Sequence, residues 1–180
     1  MTVPNLEFTS LDETKLTSNI DRQIASLIDK TYNVDFEGRS FCHQHHHKRY
    51  LAYNSDDLVA HLAILLRSVS LGGERVSIAG VAEVATDQDF RCRGIASNLL
   101  AMAIEDAMAS TASFMLLFGT ENIYRRAGFK NYQNPMTAVD LSGGISRKIS
   151  KVENEPLMVL PLKDEEWDPT APLDLLGSVF

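Results

Sequence analysis

The sequence predicts a mixed α/β domain in which helices pack on a sheet that is antiparallel where its order can be read. Three observations predict it. Two long apolar segments, 58–71 and 75–86, are joined by a turn sequence and read as an antiparallel pair. Segments with helical spacing of apolar residues stand on either side of that pair in the chain. A short, wholly apolar run, SFMLLF (113–118), then has the character of a central strand covered on both faces. The order is helix, antiparallel strands, strand–loop–helix, strand–helix, strand, a layered arrangement of helices on a sheet.

The elements follow in turn. LEFTSLDE (6–13) opens with a short strand candidate, and Ser10 and Glu13 have capping-box spacing, which predicts a helix start there. Leu16, Ile20, Ile24, Leu27 and Ile28 recur at spacings of 4, 4, 3 and 1, one helical face, until FEGRSF breaks the pattern at Gly38. RYLAY (49–53) reads as a strand and NSDD (54–57) as turn chemistry. LVAHLAILLRSVSL (58–71), the hairpin turn LGGE (71–74) and RVSIAGVAEVAT (75–86) form the strand pair. Gly80 inside the second of these predicts a bulge or a close backbone approach. DQDFRCRG (87–94) is a polar loop. IASNLLAMAIEDAMA (95–109) is a helix with Leu99, Leu100, Ala103, Ile104, Ala107 and Met108 on one side. TENIYRRAG (120–128) is a short helix with Thr120 as N-cap and Gly128 as its stop. FKNYQ begins another strand, SGGISRKISKVENE (142–155) is a polar loop, PLMVLPL (156–162) is a last strand, and the tail DEEWDPTAPLDLLGSVF follows. With no repeat and no linker, residues 1–180 are expected to be a single domain, with 158–180 its closing strand and tail.

Composition narrows the function. The chain has 180 residues and is 44% apolar, which argues against a disordered chain. No apolar run reaches the roughly 18 residues of a membrane helix, and MTVPNLEFTS lacks the features of a signal peptide. Two cysteines, Cys42 and Cys92, make no disulfide framework, so a reducing cytoplasm is expected. A net charge of −7 argues against a nucleic-acid partner. It suits a cationic substrate, and a surface tuned for solubility is the simpler reading.

The stretch FCHQHHHKRY (41–50) carries four of the five histidines. His43, His45 and His47 alternate, so an extended chain would space them at about 6.5–7 Å, too wide for one tetrahedral ion without outside ligands. No metal is expected.

VATDQDFRCRGIASNLL (84–100) has the chemistry of an anion site. A strand ends, a donor-rich loop follows, and a helix begins near Gly94, where unpaired backbone N–H groups carry partial positive charge. Arg91 and Arg93 add side-chain charge. The local physics is equally met by an ordinary strand-to-helix loop with solvated arginines.

Arg91-Cys92-Arg93-Gly94-Ile95-Ala96 fits the pattern Q/R-x-x-G-x-G/A, and Ile123-Tyr124-Arg125-Arg126-Ala127-Gly128-Phe129 fits F-Y-x-x-x-G-F, each after an apolar strand. On these two segments the chain resembles the GCN5-related N-acetyltransferase (GNAT) superfamily. DKTYNVDFEGRSF, KRYLAYNSDDLVAHLAILLRSVSLGGE and VLPL…EEW…LDLLG are similar to nodulation-type N-acyltransferases, and the same frame to aminoglycoside 2'-N-acetyltransferases. The resemblance covers roughly residues 20–180. It implies a mixed, mostly antiparallel central sheet with helices on both faces, split between strands 4 and 5, where acetyl-CoA binds. It implies that the pyrophosphate sits on the amides of Arg91, Cys92, Arg93, Gly94, Ile95 and Ala96, with Ser97 and Asn122 as further contacts. The backbone of Val84, Ala85 and Thr86 would hold pantetheine and polarise the thioester carbonyl.

The reaction so implied is acetyl transfer to a primary amine of a small molecule, an amino sugar or aminoglycoside-like compound. A free alkylamine is mostly protonated at neutral pH, so a base is needed. Glu83 is the nearest acidic candidate; it reads equally as a strand carboxylate. The aminoglycoside branch aligns its carboxylate one residue earlier, at Ala82, and a one-residue offset turns a strand side chain to the other face. Asp35 matches an acidic position near the acceptor site of that branch, and reads equally as a turn cap. Tyr124 is the candidate acid for the leaving thiolate, and reads also as a ring packed under the sheet. Trp167, Asp174 and the carboxylate of Phe180 would line the acceptor site, or form a strand extension with a Trp anchor. Cys92 lacks a placed His or Asp, so direct transfer is expected. The histidine stretch falls at the rim of the acceptor side. The rival readings are an N-acyltransferase with a longer acyl donor, a non-catalytic acyl-CoA-binding module and, least favoured, a metal-dependent hydrolase. The assembly is left open, a homodimer among the options.

Overall fold

A computed structural model describes residues 6–32 and 36–180. The described residues include the strands β1 (Leu6–Asp12), β2 (Lys48–Asn54), β3 (Asp57–Leu71), β4 (Glu74–Thr86), β5 (Phe114–Phe118), β6 (Lys130–Tyr132), β7 (Met136–Val139), β8 (Ile149–Val152), β9 (Leu157–Pro161) and β10 (Leu173–Asp174). The helices are α1 (Ser18–Thr31), α2 (Ile95–Ala109) and α3 (Asn122–Arg126). The chain divides into two compact units, and β3, β4 and α2 each give one part to either.

The first unit holds the described residues up to Leu65 together with Ala82–Ile104. Its strands run β1-β2-β3-β4, with β1 antiparallel to β2 and β2 antiparallel to β3. Thr17 caps α1 by accepting from Ile20 N. The capping box expected at Ser10 and Glu13 does not form: Ser10 pairs with Tyr50 inside β1, and Glu13 starts a short 3-10 turn. Spacing alone could not show that Ser10 is paired with β2, which leaves it no part in a helix start. The apolar face of α1 is as expected. Ile24, Leu27 and Ile28 are buried against Leu51 and Ala85, with Leu16 and Ile20 packed around them.

The second unit holds Leu66–Val81 and Glu105–Phe180, with strand order β6-β9-β5-β4-β3-β10-β7-β8. β4 runs parallel to β5 for three rungs, from Ile78 with Phe114 to Gly80 with Leu116, and β5 pairs antiparallel with β9. β4 goes on to Thr86 and β5 to Phe118, so the parallel ladder covers only part of each strand. The core here joins Val69, Ile78, Phe114, Leu116, Leu157, Val159 and Trp167. Three elements depart from expectation. The polar segment 142–155 contains β8, and β7 and β10 were not signalled at all. All are strands of two to four residues, too short for a period-two pattern, and partner strands impose them. The residue capping α3 is Glu121, without a side-chain cap, rather than Thr120.

Candidate functional site

The candidate anion loop lies in the first unit, where β4 turns into α2. Asp87 accepts from Asp89 N at 3.0 Å and opens a 3-10 turn over Gln88–Phe90. Cys92 and Gly94 then both take left-handed backbone, φ 60° and 77°, with Arg93 between them. A Cβ on Gly94 would meet nothing within 4 Å, so the glycine answers to its φ and not to crowding. Asn98 N to Gly94 O, 3.0 Å, is the first helical bond. The amides of Ile95, Ala96 and Ser97 therefore have no helical acceptor. Arg91 Nε donates to Thr86 O at 3.2 Å, and Arg93 donates to Asp89 O at 2.9 Å while lying over the Phe90 ring. Both arginines brace the loop and stay exposed, as do Cys92, Gly94 and Ser97. A turn with two left-handed residues, a helix start and two guanidinium groups is suited to a polyanion.

Three residues back along β4, Glu83 has φ 43°, a left-handed conformation rare for a side-chain-bearing residue inside a strand. The left-handed residue interrupts the period of two on which the contrast between Ala82 and Glu83 rested. The Glu83 carbonyl accepts from His61 Nδ1 at 2.7 Å. Its carboxylate is inside the protein, 8% exposed, with Oε1 taking Cys42 N–H at 3.3 Å and Oε2 against His46 Nε2. Val84 O accepts from the Tyr32 hydroxyl at 2.9 Å, Ala85 is buried under α1, and Asp87 N binds Val59 O, which together hold the end of β4 in place.

A second buried pair stands behind Glu83. Fully buried Arg49 grips Glu13 with Nε (2.7 Å) and Nη2 (2.9 Å), and its Nη1 reaches Ser40 O (2.9 Å) and His61 Nε2 (3.4 Å). Burial raises the Glu13 pKa, but hydrogen bonds from Arg49 and from His45 outweigh it and bring it down to about 2. Burial, then the Arg49 charge, lowers His61 to about 3. His61 is therefore neutral at physiological pH. Arg49 can only donate, so His61 Nε2 accepts and Nδ1 carries the hydrogen to Glu83 O. Sequence reasoning did not single out Arg49, His61 or Tyr32, took Glu13 only as part of a helix cap, and took His46 only as part of the histidine stretch. One signal was present: His61 stands alone in the apolar run LVAHLAILL. A histidine buried there needs polar partners.

Residues of the second unit form their own groups. Tyr124 is buried on α3, edge-on to Phe129, and burial together with the Glu121 charge pushes its phenol up to about 12. Asn122 is exposed at the first position of α3. Trp167 is spent in the core: its ring is edge-on to Phe114 at 5.1 Å and its N–H binds Asn134 Oδ1 at 2.9 Å. The ring is in the core cluster, the packing that the Trp-anchor alternative describes. The Phe180 ring lies on Gly80, where any Cβ would overlap it, and packs on Phe118 with the Arg67 guanidinium over it. This is the close approach that Gly80 signalled, and it puts the ring in core packing. Asp174 accepts from Leu176 N in a turn. Asp35 lies outside the described residues. Among the described residues, no three His, Cys, Asp or Glu side chains converge as metal ligands.

Comparison with known proteins gives these features a frame. The family model described as an acetyltransferase (GNAT) domain matches residues 14–131. A GCN5-related N-acetyltransferase from Kribbella flavida is similar over 71% of this chain (TM-score 0.55, 20% identity), and the match spans 33% of that chain, about a third of its length. A GNAT family acetyltransferase from Brucella melitensis, solved with acetyl-CoA, matches over 93% of this chain and 94% of its own (TM-score 0.61, 16% identity). The GNAT family N-acetyltransferase YhbS from Escherichia coli, solved with CoA, matches over 98% and 93% (TM-score 0.63, 17% identity). At these identities the likeness is one of fold.

Proposed function

The chain belongs to the GNAT acetyltransferase family, and we propose that it transfers the acetyl group of acetyl-CoA directly to a primary amine of a small molecule, of the amino-sugar or aminoglycoside-like class. One observation carries the proposal. The Arg91–Ala96 loop joins two left-handed residues to the open end of α2 and keeps two guanidinium groups exposed beside it. That arrangement is matched to the pyrophosphate of the donor. Val84, Ala85 and Thr86 lead into the loop and are the backbone assigned to pantetheine. Ser97 and Asn122 are proposed as outer contacts. A chain of net charge −7 favours a cationic acceptor.

In the proposed reaction the amine nitrogen attacks the acetyl carbonyl carbon, and the carbon–sulfur bond breaks with sulfur leaving as thiolate. A preorganised donor near the developing oxyanion lowers the barrier by a few kcal/mol. Tyr124 is the group assigned to the sulfur. A phenol near 12 giving its proton outright to a thiolate near 8.5 would be uphill by roughly 5 kcal/mol. Its assigned role is therefore hydrogen-bond donation to the developing charge, for which a phenol that stays protonated is fitted.

The test is a panel of amino sugars, polyamines and amino acids scored by thiol release from acetyl-CoA, with calorimetry of acetyl-CoA binding. Amine-dependent release, with binding abolished in Arg91→Glu plus Arg93→Glu, supports the reading. Undiminished binding in that variant removes the loop as the donor site.

A further inference from the structure

Side chains hold three of the last four carbonyls of β4. Glu83 O accepts from His61 Nδ1 at 2.7 Å, Val84 O from the Tyr32 hydroxyl at 2.9 Å, and Thr86 O from Arg91 Nε at 3.2 Å. Strand carbonyls ordinarily bond to the backbone of a neighbouring strand. Here the donors come from β3, from the residue capping the end of α1 and from the loop after β4. Glu83 has a left-handed φ of 43°, which a side-chain-bearing residue keeps only where its surroundings fix it. Glu83 and Val84 are half-buried, so this stretch is not closed into the core.

A peptide group is planar and trans, so its N–H and its C=O point in opposite directions. The peptide after Thr86 shows this. Its oxygen takes Arg91 Nε, and its N–H, that of Asp87, gives to Val59 O on β3. The peptide after Glu83 is turned the other way. Its oxygen is taken by His61 of β3, so the Val84 N–H points away from that ring. The next peptide is pinned at its own oxygen by Tyr32. Val84 thus sits between two clamped peptides, and turning either of its backbone torsions would strain one of the two hydrogen bonds. Both clamps are themselves held. His61 Nε2 lies against Arg49 Nη1 at 3.4 Å, which leaves Nδ1 as its donor. The Tyr32 ring packs on Phe36 and against the α1 cluster.

We propose that His61 and Tyr32 are positioning residues for acetyl transfer, holding the Val84 N–H in the direction from which it hydrogen-bonds the thioester carbonyl of the donor. This rests on the transferase reading, in which the backbone of Val84, Ala85 and Thr86 lies along pantetheine. Negative charge builds on the carbonyl oxygen as the amine attacks, before the carbon–sulfur bond breaks. A donor already aimed at that oxygen stabilises the charge without reorganising. A loose amide would have to be ordered in the same step, and a misplacement of about 1 Å can cost about 100-fold. His61 and Tyr32 need no contact with the substrate, since they act through the two peptides they clamp.

The test uses the full chain and acetyl-CoA labelled with carbon-13 at its acetyl carbonyl. Tyr32→Phe removes one hydroxyl and keeps the ring. His61→Leu removes the donor to Glu83 O. Thr31→Val is the control: it takes a hydroxyl from the same end of α1, bonded to Leu27 O, and leaves β4 alone. The readouts are the isotope-edited infrared band of the bound thioester carbonyl, recorded without acceptor, the acetyl-CoA dissociation constant, and kcat for the amine that turns over in the panel. In wild type and Thr31→Val the band should lie at lower wavenumber than in free acetyl-CoA. In Tyr32→Phe and His61→Leu it should move back toward the free value, with kcat down about 10- to 100-fold and the dissociation constant little changed. A merely structural role would lower stability and leave band and kcat in place. A wild-type band and kcat in either folded variant overturn the proposal, as does a wild-type band that does not shift on binding. Should His61→Leu fail to fold, Tyr32→Phe decides alone. A wild type that does not bind acetyl-CoA, or binds it without amine-dependent thiol release, refutes the transferase reading and this inference with it.

Discussion

Acidification should destabilise the fold through His61. The ring is fully buried, and burial with the Arg49 charge holds its pKa near 3 instead of 6.5. The folded state thus keeps it neutral while the unfolded chain binds a proton below about 6.5. Where the unfolded state binds more protons, stability rises with pH. The contribution is complete above pH 6.5 and is lost as the pH falls toward 3. At 1.36 kcal/mol per pH unit, going from pH 7 to pH 5 costs about 2 kcal/mol through His61. That corresponds to a fall of about 4–8 °C in Tm for a chain of this size. The assay is urea unfolding at both pH values for wild type and His61→Asn, whose amide can donate to the Glu83 carbonyl without titrating. The variant should be less stable at pH 7, having lost the Arg49 contact, but its decline between pH 7 and 5 should be smaller by about 2 kcal/mol. An equal decline in both proteins would show that His61 is not the group being titrated, and would undo the argument for its neutral tautomer.

Other outcomes follow from the same geometry. Glu13→Gln leaves the Arg49 guanidinium buried without its carboxylate and should cost about 3–5 kcal/mol in denaturant unfolding. The Glu13 pKa lies below its unfolded value, so its stabilisation is present above about pH 4.5 and lost as the pH falls toward 2; this loss should vanish in the variant. Gly80→Ala sets a Cβ into the Phe180 ring and should cost about 1–3 kcal/mol, with most of it recovered in the double variant carrying Phe180→Ala. Tyr124→Phe should lower kcat while the acetyl-CoA dissociation constant stays put; wild-type turnover, with chemistry shown to limit the rate, would remove Tyr124 from the sulfur.

Elements with ten or more residues of sustained periodicity were legible in the chain. The expected helix at 95–109 is α2, and the hairpin at 58–86 is β3 and β4. Each carries enough residues for the pattern to outweigh local ambiguity. Glu13 shows the converse. Its spacing from Ser10 suggested a cap, while its partner in space is Arg49, 36 residues away in sequence. No local rule reaches that far. The histidine stretch reads as a loop entering the strand at 49–53, and bends precede β2 there, but the burial of one of its rings was not legible. Alternation singled out His43, His45 and His47, whereas the buried ring is His46, because the segment is a loop of bends and has no period of two.

The sequence by itself determined the fold class, the family frame and the loop at 91–96, because these depend on periodicity and on short contiguous motifs. Tertiary structure alone decided the state of Glu13, His61 and Tyr124. Burial and a partner's charge set whether Glu13 is held ionised, whether His61 is neutral and whether the Tyr124 phenol gives up its proton. Both act through space between residues far apart in the chain, and the electrostatics of a buried group depends on neighbours that only folding assembles.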